Sequence, residues 1–112
     1  MATDTATAPT VPAWVDRDPE WAAALHVLRA PVLRDKGVMR SVDFDGRGID
    51  FCELLQRARP WSAGERTLVA AAAALFGGLR GCELRDLVSD LDDGNLRRVL
   101  EAIEMHRARS GR

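Results

Sequence analysis

The stretch Trp61-Ser62-Ala63-Gly64-Glu65-Arg66-Thr67-Leu68-Val69, followed by Ala70 to Ala74 and Leu75-Phe76-Gly77-Gly78, decides how the chain is read. Ser62 and Glu65 have the spacing of a capping box, in which the hydroxyl accepts from the amide three residues on and the carboxylate reaches back to the first amide. Trp61 stands just before the cap, placed as a hydrophobic staple against the Arg66 methylenes or Leu68. The five alanines give high helix propensity and a thin profile, so neighbours can come close. Apolar residues lie on every side of the helix predicted over 63–76, which implies a central place in a helical domain. Gly77-Gly78 is its stop signal. The apolar run Leu68 to Phe76 is too short for a membrane span, which needs about 20 residues.

Working outward, Asp18-Pro19-Glu20 is a helix start: an acceptor at the cap, proline in the first turn, then an acid near the positive end of the dipole. Trp21, Leu25, Leu28 and Val32 follow at helical spacing. Pro31 lacks a backbone donor and should kink or split the helix near Ala30, with Gly37 ending it. Residues 38–51 change period. Val38, Val42 and Phe44 alternate with Met39, Ser41 and Asp43, and Asp45-Gly46-Arg47-Gly48 is a turn signal. A short β-hairpin or extended loop is expected there, with Ile49 on the returning arm. Asp50 and Glu53 open another helix, which runs to about Arg59 before Pro60 and buries Phe51, Leu54, Leu55 and Ala58. Glu83 to about Leu91 is predicted as a short helix carrying Leu84, Leu87, Val88 and Leu91. Asp92 or Asp93 caps the last helix, whose apolar face is Leu96, Val99, Leu100 and Ile103.

The resulting fold class is mainly α: a small single-domain bundle of four to five helices, with a short β-hairpin near 38–51. The expected layout is a disordered or loosely packed tail over 1–16, a helical domain over 17–107 and a basic tail over 108–112. A length of 112 residues suits one small domain. The net charge of -1 argues against nucleic-acid binding by bulk charge. The positive charge comprises fifteen arginines and the single Lys36, and there are seventeen alanines, a bias that suits a GC-rich genome. Cys52 and Cys82 are thirty residues apart, which matches neither a disulfide framework nor a paired zinc spacing. Residues 1–12 lack the basic and apolar regions of a secretory signal, so a cytoplasmic protein is expected.

Three segments resemble known motifs. Asp43 to Leu54 resembles an EF-hand loop in its early acids, central glycine, Ile49 and Glu53 opening the exit helix. If Glu53 is the last ligand the loop is one residue short, and Arg47 stands where the third carboxylate belongs. A hairpin turn followed by an acid-capped helix accounts for the same residues, and calcium is not expected. Ser62-Ala63-Gly64-Glu65-Arg66 resembles the signature segment of ABC-type ATPases, but the chain has no G-x-x-x-x-G-K-[ST] loop to cradle phosphates. The helices between Glu65 and Arg107, with a tight Asp92-Asp93-Gly94 turn, resemble a helix-turn-helix unit. Asn95, Arg97, Arg98, Arg107 and Arg109 would then face nucleic acid, while Asp90, Asp92 and Asp93 would repel phosphates at the start of the reading helix.

No catalytic, cofactor or metal residues are assigned. His26 and His106 have no cysteine or serine at a recognisable spacing, and the soft ligands His26, Cys52, Cys82 and His106 are scattered. The leading expectation is a non-enzymatic domain acting through protein contacts, with self-association as one way for a small bundle to enlarge its core. Trp14 and Trp61 are the candidate partner anchors, because tryptophan is favoured at binding hot spots. The alternative is the helix-turn-helix regulator that uses residues 83–108.

Overall fold

A computed structural model describes residues 11–77 and 81–110. Its elements, in order, are a 3₁₀ turn at Ala13–Arg17, α1 at Pro19–Leu28, 3₁₀ turns at Pro31–Lys36 and Val38–Ser41, β1 at Val42–Asp43, β2 at Gly48–Ile49, α2 at Phe51–Arg57, α3 at Ala63–Gly77, α4 at Leu84–Asp90 and α5 at Asp93–Arg109. Helix accounts for 73% of the described residues, and the two strands form one antiparallel hairpin. The expected mainly helical bundle with a small hairpin is what the chain forms.

The helix starts follow their caps. Asp18 Oδ1 accepts from the amides of Glu20 (3.1 Å) and Trp21 (3.2 Å), which orients α1. Pro31 splits the chain as expected: α1 ends at Leu28 and the chain resumes as a 3₁₀ turn that closes at Gly37, with φ +68°. The Ser62–Glu65 capping box forms in both directions, at 3.1 and 3.2 Å. Asp50 caps α2 through the Glu53 amide, but the Glu53 carboxylate does not turn back. It accepts instead from the buried Ser41 hydroxyl at 2.7 Å, and Arg57 donates to the same oxygen at 2.6 Å. This trio ties the chain before the hairpin to α2. α2 is shorter than expected, ending at Arg57, because the chain tightens into turns at Ala58 and Arg59.

The alternation predicted from Val38 covers less than expected. Residues 38–41 form a 3₁₀ turn, and pairing is confined to Val42 with Ile49 and Asp43 with Gly48. In the loop between the strands Asp43 Oδ1 accepts from the Gly46 amide at 3.0 Å. A Cβ at Gly46 would collide with that carboxylate, so any other residue here would make the Asp43 side chain shift. Arg47 takes a left-handed φ of +53° and stacks its guanidinium over the Trp14 ring, 4.2 Å from its centroid.

The centre of the bundle is α1 rather than the alanine-rich α3. α1 packs against both α3 and α5, and Trp21 to Leu25, Val27 and Leu28 are all buried. Ala22, Ala23 and Ala24 allow two helices to approach it at once. α3 buries Thr67 to Val69 and Ala71 to Ala73 but leaves its other side partly open. Around Trp21 the rings of Trp14 (5.0 Å), Phe76 (5.3 Å) and Phe44 (5.7 Å) gather, and Phe51 joins through Phe76 at 5.5 Å. The edge-on and tilted geometries are those favoured by aromatic quadrupoles.

The domain limits are wider than expected. Residues 13–16 are not a loose tail: they lie in a 3₁₀ turn with Val15 buried in the core. The reason is the aromatic cluster, which needs Trp14 at its edge. At the other end α5 continues to Arg109, whose guanidinium pairs with Asp16 at 2.7 Å, so 108–109 belong to the helix. The remaining tail expectations, for 1–10 and 111–112, lie outside the described residues, as does Gly78 of the glycine stop.

Two outcomes test this account. Trp21→Ala empties the centre of the aromatic cluster and should destabilise the fold by about 3–5 kcal/mol in urea unfolding. At Glu65 burial pushes the carboxyl up, but the Ser62 amide and Lys36 outweigh it and hold the carboxyl below the ordinary glutamate value. A carboxyl depressed in the folded state stabilises above its unfolded value and loses that contribution as pH falls through the folded one. Wild type should therefore exceed Glu65→Gln in unfolding free energy at neutral pH, and the difference should close on acidification below the glutamate range.

Candidate functional site

His26 of α1 and two arginines of the last helix, Arg98 and Arg109, are bound to the fold in ways that the sequence pattern does not reveal. His26 Nε2 on α1 meets Glu101 Oε1 on α5 at 2.8 Å. One turn earlier on α5, Arg98 donates to the His26 carbonyl at 2.8 Å, near the end of α1 where carbonyls lack helical partners. Arg109 donates to both the carbonyl and the carboxylate of Asp16. Together these contacts clamp α5 across α1 and the N-terminal turn. They leave an open cleft of about 510 Å³ whose lining includes Val11, Val15, Leu25, His26, Arg29 and Arg98. Its lining mixes apolar side chains with charges of both signs, Asp16 beside Arg29 and Arg98, and neither cysteine lines it.

Of the five residues considered for nucleic acid, Arg98 and Arg109 are therefore occupied within the chain. Asn95 is half-buried, and its amide serves the Asp92 cap at 2.8 Å. Arg97 and Arg107 are exposed. The five do not converge on one surface patch. Asp92 and Asp93 sit at the start of α5, as the sequence places them.

The two indoles considered as partner anchors are both half-buried and both have contacts within the chain. Trp14 is half-buried between Trp21 and Arg47. Trp61 is half-buried, with the Lys36 ammonium 5.5 Å from its ring centroid and its carbonyl accepting from Arg66. Lys36 also reaches Glu65 at 3.5 Å, so cation, indole and cap form one small cluster.

The residues of the EF-hand-like loop have other tasks. Asp43 holds its own turn, Asp50 caps α2 and Glu53 binds Ser41. Among the described residues no three His, Cys, Asp or Glu side chains cluster as a metal site would require. Cys52 is exposed and Cys82 half-buried, both as free thiols. Burial, then Asp86 and Glu83, pushes the Cys82 thiol up, away from a reactive thiolate.

The surface that the sequence pattern misplaces is apolar. Leu100 and Ile103, expected in the core, are 52% and 42% exposed, and α5 buries Val99 and Ala102 in their place. On α4, Leu87 is buried, while Leu84 and Val88 are 77% and 73% exposed. The signal for this rotation is Ala102. A small residue three positions after Val99 lets α5 lie close to the alanines of α1, which turns Leu100 and Ile103 outward. Beside Ile103 a shallow groove of about 420 Å³ runs along α3 and α5, lined by Ala74, Leu75, Ile103, His106, Arg107 and Ser110. Among the described residues no helix is long and apolar enough to cross a membrane.

Comparison with known protein families, curated proteins and solved structures finds no match to this chain.

The two adjacent arginines separate structural from surface roles. Arg98→Ala removes a charged donor from the His26 carbonyl and should cost about 1–2 kcal/mol in chemical denaturation. Arg97→Ala touches nothing buried and should stay within about 0.5 kcal/mol of wild type.

Proposed function

We propose that this chain is a non-enzymatic interaction domain, an adaptor, regulator or assembly component that works by docking protein through the apolar side chains of α4 and α5. The observation that carries this reading is the exposure of Leu84, Val88, Leu100 and Ile103 on consecutive helices. Scattered single exposed apolar residues are ordinary, but four large ones on two helices consecutive in the chain suit a contact surface. The catalytic reading has no comparable support. His26 is engaged with Glu101, and no serine or cysteine lies on the cleft that His26 borders. Free thiols at Cys52 and Cys82 suit a reducing compartment, and a cytoplasmic setting is part of the proposal.

The helix-turn-helix alternative rests on the exposed Arg97 and Arg107 alone. It has to overcome Asp92 and Asp93 at the head of α5.

Photo-cross-linking side chains placed at Val88 and at Ile103, in the cells that make the protein, test the proposal. Discrete products heavier than the chain are expected from at least one position. Monomer alone at both positions would sink the interaction reading. Salt-sensitive binding to duplex DNA that is lost on Arg97→Ala with Arg107→Ala would replace it with the alternative.

A further inference from the structure

The exposed stripe of α5 carries more information than its hydrophobicity. Leu96, Leu100, Ile103 and Arg107 recur at alternating four- and three-residue steps, so they form one seam along the helix, of which Leu96 is half-buried against the core and the other three are exposed. On one flank of the seam stand Asp93, Arg97 and Glu104, all exposed. Val99 and His106 occupy the other flank, which faces α3 and the groove. Asp93, Arg97, Glu104 and Arg107 take part in none of the ion pairs among the described residues.

Resting on the interaction reading above, we propose that the occupant of this seam is a second copy of the chain, with α5 packed antiparallel on α5 about a two-fold axis between Leu100 and Ile103. The charge order selects the direction. In an antiparallel pair a two-fold axis brings like flanks together with their sequences reversed. Arg97 then faces Glu104 of the second copy, and Arg107 faces Asp93, each pair occurring twice. A parallel pair would instead set this flank against the opposite one, with Glu104 beside Val99 of the second copy rather than Arg97. The same axis sets Leu100 on Ile103 of the other copy. It also aims Leu96 and Leu100 of the second copy at the groove beside Ala74 and Leu75.

The size of the seam bounds the affinity. α5 has 17 residues and a length of about 25 Å, so two such helices bury less than the ~1,600 Å² of a standard interface. The dimer is a weak one, populated at high micromolar protein.

Sedimentation velocity on the full chain, from about 10 to about 500 µM, tests it. Wild type should move from monomer towards dimer across that range. Arg97→Glu and Glu104→Arg, each alone, place like charges at two positions of the interface and should weaken association by about five-fold or more. Combining them restores opposite charges and should bring association back within about two-fold of wild type. All these positions are exposed, and circular dichroism confirms that each variant folds. A chain that stays monomeric throughout overturns the self-pairing. So does a dimer that the combined variant fails to restore, or one that survives Leu100→Ser with Ile103→Ser. Cross-links from Ile103 to other proteins alone would show that docking occurs without self-pairing, which separates the two failures.

Discussion

The structure depends on the placing of one indole. Trp21 is buried at the start of α1, where the Asp18 carboxylate accepts from its amide, so the cap that begins the helix also aims the ring. Three otherwise separate pieces close on it: the N-terminal turn through Trp14, the hairpin loop through Phe44 and the end of α3 through Phe76. Only six aromatic residues exist in the chain, and five join this cluster directly or through Phe76. The rest of the core is mainly small and aliphatic, and includes Ala23 and Ala24 of α1, Ala71 to Ala73 of α3 and Ala102 of α5. Such alanine contacts bring backbones close but bury little area per residue. The aromatic cluster therefore supplies much of the burial at the end of the bundle where the hairpin sits.

What was legible in the sequence was local. Asp18, Asp50, Ser62 with Glu65, and Asp92 all cap the helices they precede, because a cap is a hydrogen bond within three residues and needs no knowledge of the rest of the chain. Pro31 breaks the chain for an equally local reason. The rotation of α5 is a different kind of fact. Leu96, Val99, Leu100 and Ile103 form a stripe wider than one neighbour can cover, and periodicity alone cannot choose its buried half. The choice was made by distance to α1. Ala102 permits close approach, and Arg98, on the same side of α5, finds a carbonyl there. The place of Trp14 is likewise set at a distance, by Trp21 and by Arg47 in a turn far along the chain.

The arginine bias acquires a physical use in the same way. Arg57 donates to the carbonyls of Lys36 and Gly37, Arg66 to that of Trp61, Arg98 to that of His26 and Arg109 to that of Asp16. Each of these carbonyls lies in or beside a turn or helix end, where the ladder leaves acceptors free. A planar guanidinium with several donors suits that task better than an ammonium, because it can serve a carbonyl and a second acceptor at once. Arg57 does so with Gly37 and Ser41, and Arg109 with the carbonyl and one carboxylate oxygen of Asp16. Genome composition accounts for the number of arginines but not for these placements. The near-neutral total charge conceals a set of cations consumed internally.

Removing those engaged arginines from consideration sharpens the meaning of the ones left over. The buried side-chain polar atoms among the described residues all have partners, so the monomer satisfies its own interior. Leu100, Ile103, Arg97 and Glu104 add nothing to that interior and lie together on α5. Apolar side chains on a solvent face favour association over solubility, so a surface holding them in register with alternating charge is organised for contact. The order of those charges is the informative part. Hydrophobic burial alone would accept either direction of an approaching helix. Aspartate, arginine, glutamate and arginine at 93, 97, 104 and 107 form a series whose reversal places opposite charges against one another, which is what the proposed antiparallel pairing uses.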